Sequence, residues 1–168
     1  NKRLGFSGVY DGQGHTINLI LLEAGRFPVD GGGMLFNTMG GTIKNTNVVV
    51  SAYYWGDDAK RYPGVIGTLD GTVEDCIFTL NLARFGAQTW QILWCAFNNT
   101  TANAVVKNVV IYDVKNDMNY KFAKVVDANT TIENVAIIVS SLKSEQATGT
   151  PLSSKASNVY FFSSADNF

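Results

Sequence analysis

His15, the single histidine of the chain, lies four residues after Asp11 in the glycine-punctuated run FSGVYDGQGHTI, residues 6–17. An imidazole beside a carboxylate is a general-base arrangement, but no Ser or Cys context completes a nucleophilic triad. Both residues are therefore expected to serve a turn. The densest chemical cluster is SAYYWGDDAKRYPG, residues 51–64, with Tyr53, Tyr54, Trp55, Asp57, Asp58, Lys60, Arg61 and Tyr62. Aromatic faces beside polar groups suit the apolar face of a sugar ring, and Trp90 and Trp94 extend the platform. Asp57 and Asp58 offer oxygen ligands to calcium, yet neither a D-x-D-x-D-G loop nor a calcium-binding nonapeptide repeat surrounds them. As adjacent residues they would point apart on a strand, which does not suit a glycosidase pair. Asp75 and Asp113 are the other carboxylates near apolar columns. We assign Tyr53, Tyr54, Trp55, Asp57, Asp58, Tyr62 and Trp90 as candidate glycan contacts. No catalytic residue, metal site or cofactor is assigned.

The elements that must position these residues follow from composition and repetition. The 168 residues are long enough for one domain with a sizeable core, and 46% are hydrophobic. Charged residues make up 16%, with a net charge of −1, so no basic stripe marks a nucleic-acid binder. Apolar stretches reach about five residues, against the roughly 20 of a membrane helix. Cys76 and Cys95 form no CxxC or Cys/His cluster and read as small buried hydrophobes rather than a disulfide or zinc site. The chain begins at Asn1 and shows no signal peptide. An upstream segment is expected, with an extracellular, cell-surface or virion location.

GTIKNTNVVV (41–50), GTVEDCIFTL (71–80), AVVKNVVIYD (104–113) and TTIENVAIIV (130–139) repeat one pattern. A β-branched anchor (Ile43, Val73, Val106, Ile132) precedes a charged residue, then Asn45, Asp75, Asn108 or Asn134, then apolar alternation. HTINLILLEA fits as an earlier copy anchored on Ile17, and ASNVYFF as a later one at Asn158. Anchor spacings from Ile17 are 26, 30, 33 and 26 residues. A shorter element precedes each unit, GGMLFNTMGG matching YPGVIGTLDG and, more loosely, WQILWCAFNN and NYKFAKVVDAN. Periods of this size, β-branched enrichment and no helical periodicity predict an all-β, right-handed parallel β-helix (β-solenoid). It would have about six coils joined by variable connectors.

Stacked coils should align Thr46, Cys76, Val109, Val135 and Val159 in one inward column. Val48, Phe78, Ile111, Ile137 and Phe161 form the next, and Val50, Leu80 and Val139 a third that Asp113 breaks. Asn45, Asp75, Asn108, Asn134 and Asn158 are expected at the turn between strands as a side-chain ladder, with Asp75 the mismatched rung. Sequons at Asn98, Asn99 and Asn129 are placed in turns. Residues 140–155, SSLKSEQATGTPLSSK, read as a surface excursion within a single domain spanning 1–168, itself a fragment of a longer chain. Open parallel edges at the terminal coils call for a flanking domain or a neighbouring subunit.

FSGVYDGQGHTI resembles the F-x-G-x-x-D-G-x-G-H-x-I opening of coils in GLUG-type repeat proteins. PGVIGTLDGTVEDCIFTL resembles their G-L-[VI]-G unit followed by an Asn-centred strand, and GGMLFNTMGGTIKNTNVVV is a looser copy. The resemblance covers about the first half of the chain. It implies a right-handed parallel β-helix module of bacterial surface or secreted proteins, with an adhesive role, and similar modules build phage fibres and tail spikes. It implies no catalytic residue. Leu19 stands where the pattern has Asn, so the ladder is expected to start at the second coil or to shift onto Asn18.

Three function classes fit: a structural or adhesive module that binds glycan through its connectors, a polysaccharide lyase or glycoside hydrolase, and a ligand-free spacer or assembly element. The fold accommodates all three. Against the enzyme stand the scattered basic residues, of which only Lys60, Arg61 and Arg84 lie near the aromatic loops. The adhesive reading is favoured.

Overall fold

A computed structural model describes residues 5–24, 33–55, 64–85, 95–113, 122–139 and 153–163. Among the described residues every regular element is a strand. In chain order they are β1 (Gly5–Phe6), β2 (Val9–Asp11), β3 (Thr16–Ala24), β4 (Gly33–Met39), β5 (Thr42–Trp55), β6 (Gly64–Leu69), β7 (Thr72–Phe85), β8 (Cys95–Thr100), β9 (Val105–Asp113), β10 (Ala123–Val125), β11 (Thr131–Val139) and β12 (Lys155–Ser163). They form two sheets. One has the order β1-β4-β6-β8-β10; the other runs β12-β11-β9-β7-β5-β2, with β3 also on β5. All pairings are parallel. Parallel neighbours need a crossover that returns the chain to the same end. From β4 to β11 a strand of the opposite sheet lies within each crossover, so the two sheets are built together.

The larger sheet shows why this sequence holds its register. Ile43, Val73, Val106 and Ile132 are aligned and essentially fully buried. Thr46, Cys76, Val109, Val135 and Val159 align three residues later, followed by Val48, Phe78, Ile111, Ile137 and Phe161. Val50, Leu80, Asp113 and Val139 are aligned beyond them. Strict alternation from the Ile43 position would point residues 45 and 47 inward. Instead residues 46, 48 and 50 are buried, so the alternation slips by one at residue 45. A one-residue slip would otherwise turn the apolar set to solvent. Asn45, Asp75, Asn108, Asn134 and Asn158 absorb it with φ of 50–55°, the left-handed region that Asn and Asp enter more readily than other non-glycine residues. They lie within continuous strands, at the point where the paired register skips, rather than in a turn between two strands.

The smaller sheet supplies the facing wall of the core through Met39, Ile66, Leu69, Phe97 and Ala123. Phe97 on β8 meets Phe78 on β7 edge-on at 5.8 Å and Phe122, beside β10, at 5.2 Å. This chain of rings ties the two sheets together. Each fully buried aromatic or aliphatic side chain here contributes about 1.5–3 kcal/mol.

Two further expectations are corrected. Ile17 aligns with Val48, not with Ile43; Tyr10 takes the place opposite Ile43, and Asp11 stands opposite Lys44. Residues 12–15 form an excursion between β2 and β3 that a count of residues cannot separate from strand. The first rung of the ladder is therefore Asp11, not Asn18. Second, Asn98 and Asn99 lie in β8 rather than a turn, and Asn98 is only 2% exposed, which leaves a glycan at its side chain no room. Asn129 does occupy an exposed turn.

Candidate functional site

The polar column on the larger sheet is built rung by rung. Asn158 donates from Nδ2 to Oδ1 of Asn134 at 3.0 Å, and Asn134 donates to Asn108 at 3.0 Å. Asn108 donates to Asp75 at 2.9 Å, and Asn45 to Asp11 at 3.1 Å. Asp11 also accepts the backbone N–H of Gln13 at 3.0 Å, and Lys44 lies 3.6 Å from its other oxygen. The Asn45 bond, then the Gln13 bond, hold the Asp11 carboxyl below the usual carboxylate range. His15 is tied by its backbone: its carbonyl accepts from Asn47 N–H and Thr46 Oγ1, and its N–H donates to Gly12. The carboxylate beside it is engaged by the ladder, an arrangement that positions a turn.

One residue before the rungs Asn45, Asp75, Asn108 and Asn134 runs a second column, Lys44, Glu74, Lys107 and Glu133, alternating in sign. Asp11, the first rung, stands opposite Lys44 by register and so heads both columns. Lys107 pairs with Glu133 at 3.0 Å. The charged position is visible in the repeat, but its alternation acquires meaning only once the strands are known to be neighbours. Partly exposed ion pairs of this kind are worth about 0–1 kcal/mol each, and their larger effect is to favour the correct register. A buried hydroxyl column is also present among the described residues. Thr100 and Thr130 share a hydrogen bond of 2.7 Å, Thr100 accepts Asp127 N–H, and Ser153 donates to the Thr130 carbonyl.

Neither cysteine forms a disulfide, and both thiols are buried, Cys76 on the larger sheet and Cys95 on the smaller. Burial pushes the Cys76 thiol up to about 11, which keeps it protonated and unreactive near neutral pH. Among the described residues, no group of three His, Cys, Asp or Glu side chains converges on a point that would hold a metal ion.

The aromatic cluster is only partly placed. The backbone of Tyr53, Tyr54 and Trp55 forms the end of β5, opposite Ala83, Arg84 and Phe85 of β7. Asp57, Asp58, Tyr62 and Trp90 lie outside the described residues, as do Lys60, Arg61 and Trp94 and most of the 140–155 stretch. Solvent-facing aromatics that sequence reasoning missed stand elsewhere: Tyr112 on β9 and Tyr160 on β12, with the Tyr160 and Phe162 rings stacked at 6.2 Å. Set against protein-family models, characterised proteins and solved structures, the chain finds no match.

The rung residues give a direct test of what the column does. Asn108 is exposed, so its loss strands no buried partner; its demand is conformational. Asn108→Ala must hold a Cβ in the left-handed region and should lose about 1–2 kcal/mol. Asn108→Gly keeps the backbone and loses only the two side-chain bonds, so it should cost less than Asn108→Ala. Urea unfolding of both variants checks this, and equal losses would assign the effect to the hydrogen bonds instead.

Proposed function

We propose that this chain is a structural or adhesive module of an exported surface or virion protein, a right-handed parallel β-helix of about six coils of the GLUG type. It binds glycan through the aromatic run of residues 51–64, which begins at the end of β5. What supports this reading is the use to which the described polar side chains are put. Asp11, Asp75 and the asparagines serve the ladder, Lys44, Lys107 and Glu133 pair along the sheet, and the hydroxyls bond backbone. With these side chains engaged within the scaffold, recognition falls to the connectors, where loops carry it.

The test is a glycan array probed with the wild-type chain and with a Tyr54→Ala/Trp55→Ala variant of unchanged melting temperature. Binding by the wild type that falls at least tenfold in the variant is the expected result. Turnover of a bound glycan would replace the adhesive reading with an enzyme, and no binding to any glycan would replace it with a spacer.

A further inference from the structure

The ladder has a direction. A carboxylate can only accept, so Asp75 obliges Asn108 to turn its Nδ2 towards it and its Oδ1 away. Asn134 must then donate to Asn108, and Asn158 to Asn134. Asp11 imposes the same sense on Asn45. The two acids thus orient every amide in their segments independently of how amide oxygen and nitrogen are told apart. The consequence falls on β12, the outermost described strand of the larger sheet. There Asn158 directs its Oδ1 away from Asn134, and the inward residues Val159 and Phe161 are only half-buried, whereas Val135 and Ile137 one strand earlier are fully buried.

We infer that the β12 edge is a docking surface for one more parallel strand of the same pattern, carrying Asn as a hydrogen-bond donor at the next rung. The added strand continues the β11–β12 register, covers Val159 and Phe161, and donates its amide to Asn158. A second copy of this chain docking by its leading strand is the wrong partner. Its first rung is Asp11, whose carboxylate would meet the Asn158 oxygen, acceptor against acceptor. The same mismatch exists once inside the chain, where Asn45 directs its Oδ1 towards the Asp75 rung, which has no hydrogen to give. There the strands are held in register by their own covalent connection. This inference concerns the partner of the proposed module and does not depend on glycan binding.

The experiment appends a copy of residues 104–113 to the full chain through a Gly/Ser linker of about 20 residues, whose span of roughly 25 Å approaches the return along one strand. A second fusion carries Asp in place of the Asn of the appended strand. The Asn fusion should raise the melting temperature by several degrees and slow exchange at least tenfold for the β12 amides that face away from β11. The Asp fusion should give less than half of either effect. In the unfused chain, Asp75→Asn joins the two ladder segments and should raise the melting temperature by about 2–4 °C. Equal behaviour of the two fusions, no protection by the Asn fusion, or a lower melting temperature for Asp75→Asn would each overturn the inference. So would stable end-to-end oligomers of the unmodified chain.

Discussion

Phe97→Ala is expected to lower stability by about 3–5 kcal/mol, the range for removing a buried aromatic ring from a core that cannot fully collapse. Phe97 is fully buried and holds two edge-on ring contacts, to Phe78 across the sheets and to Phe122 along its own. The ring therefore joins the two walls of the core. Its loss removes burial, dispersion and aromatic geometry, and aromatic pairs add about 0.5–1.5 kcal/mol beyond area. In urea the midpoint should fall while the slope stays constant. A loss below about 1 kcal/mol would mean that the sheets are held together elsewhere. Phe97→Leu, which keeps most of the volume, should retain more than half of the difference.

Gly71→Ala is the second large effect, with an expected loss of at least about 2–3 kcal/mol from overpacking against backbone. A Cβ at residue 71 would lie 2.1 Å from the carbonyl oxygen of Gly41, and one at residue 41 would lie 2.1 Å from that of Gly8. Neither neighbour is a side chain that can rotate away. The close approach comes with the corner bonds, in which Thr72 N–H reaches the Gly41 carbonyl at 2.8 Å and Thr42 N–H the Gly8 carbonyl at 2.9 Å. Two-residue turns between β4 and β5 and between β6 and β7 make those corners tight. Between β8 and β9 the turn is two residues longer, and there Ala104 takes the equivalent place, fully buried. Gly40→Ala is the control, because a Cβ there meets nothing within 4 Å. Thermal unfolding should separate the two variants by several degrees, and equal melting temperatures would show that the corner gives way freely.

The columns of the larger sheet were legible because one physical demand recurs in each. An anchor, a charged residue, a left-handed Asn or Asp and an alternating apolar run must all be present for a strand to stack on its neighbour. Counting from Ile43, Val73, Val106 and Ile132 therefore reached the register without coordinates. The count failed at Ile17 because the glycine-rich excursion of residues 12–15 carries no mark of where strand resumes; only pairing with β5 tells excursion from strand. Asn98 departs from the sequence expectation for a related reason. Its sequon looks like surface chemistry, and its burial follows from its place in β8 within the smaller sheet, where WQILWCAFNN matches the earlier short units only loosely.

By itself the sequence determined the all-β class, the repeated unit, the inward columns and the rung residues, because strand stacking constrains every copy in the same way. Only the tertiary structure decided which carboxylate begins the ladder, how charges alternate along its neighbour and which way each amide points. Those properties belong to pairs of residues 24 to 34 positions apart. They exist only when two strands lie side by side, and no single stretch of chain contains them. FSGVYDGQGHTI shows the difference: its Asp11 is an ordinary turn residue until Asn45 is brought beside it.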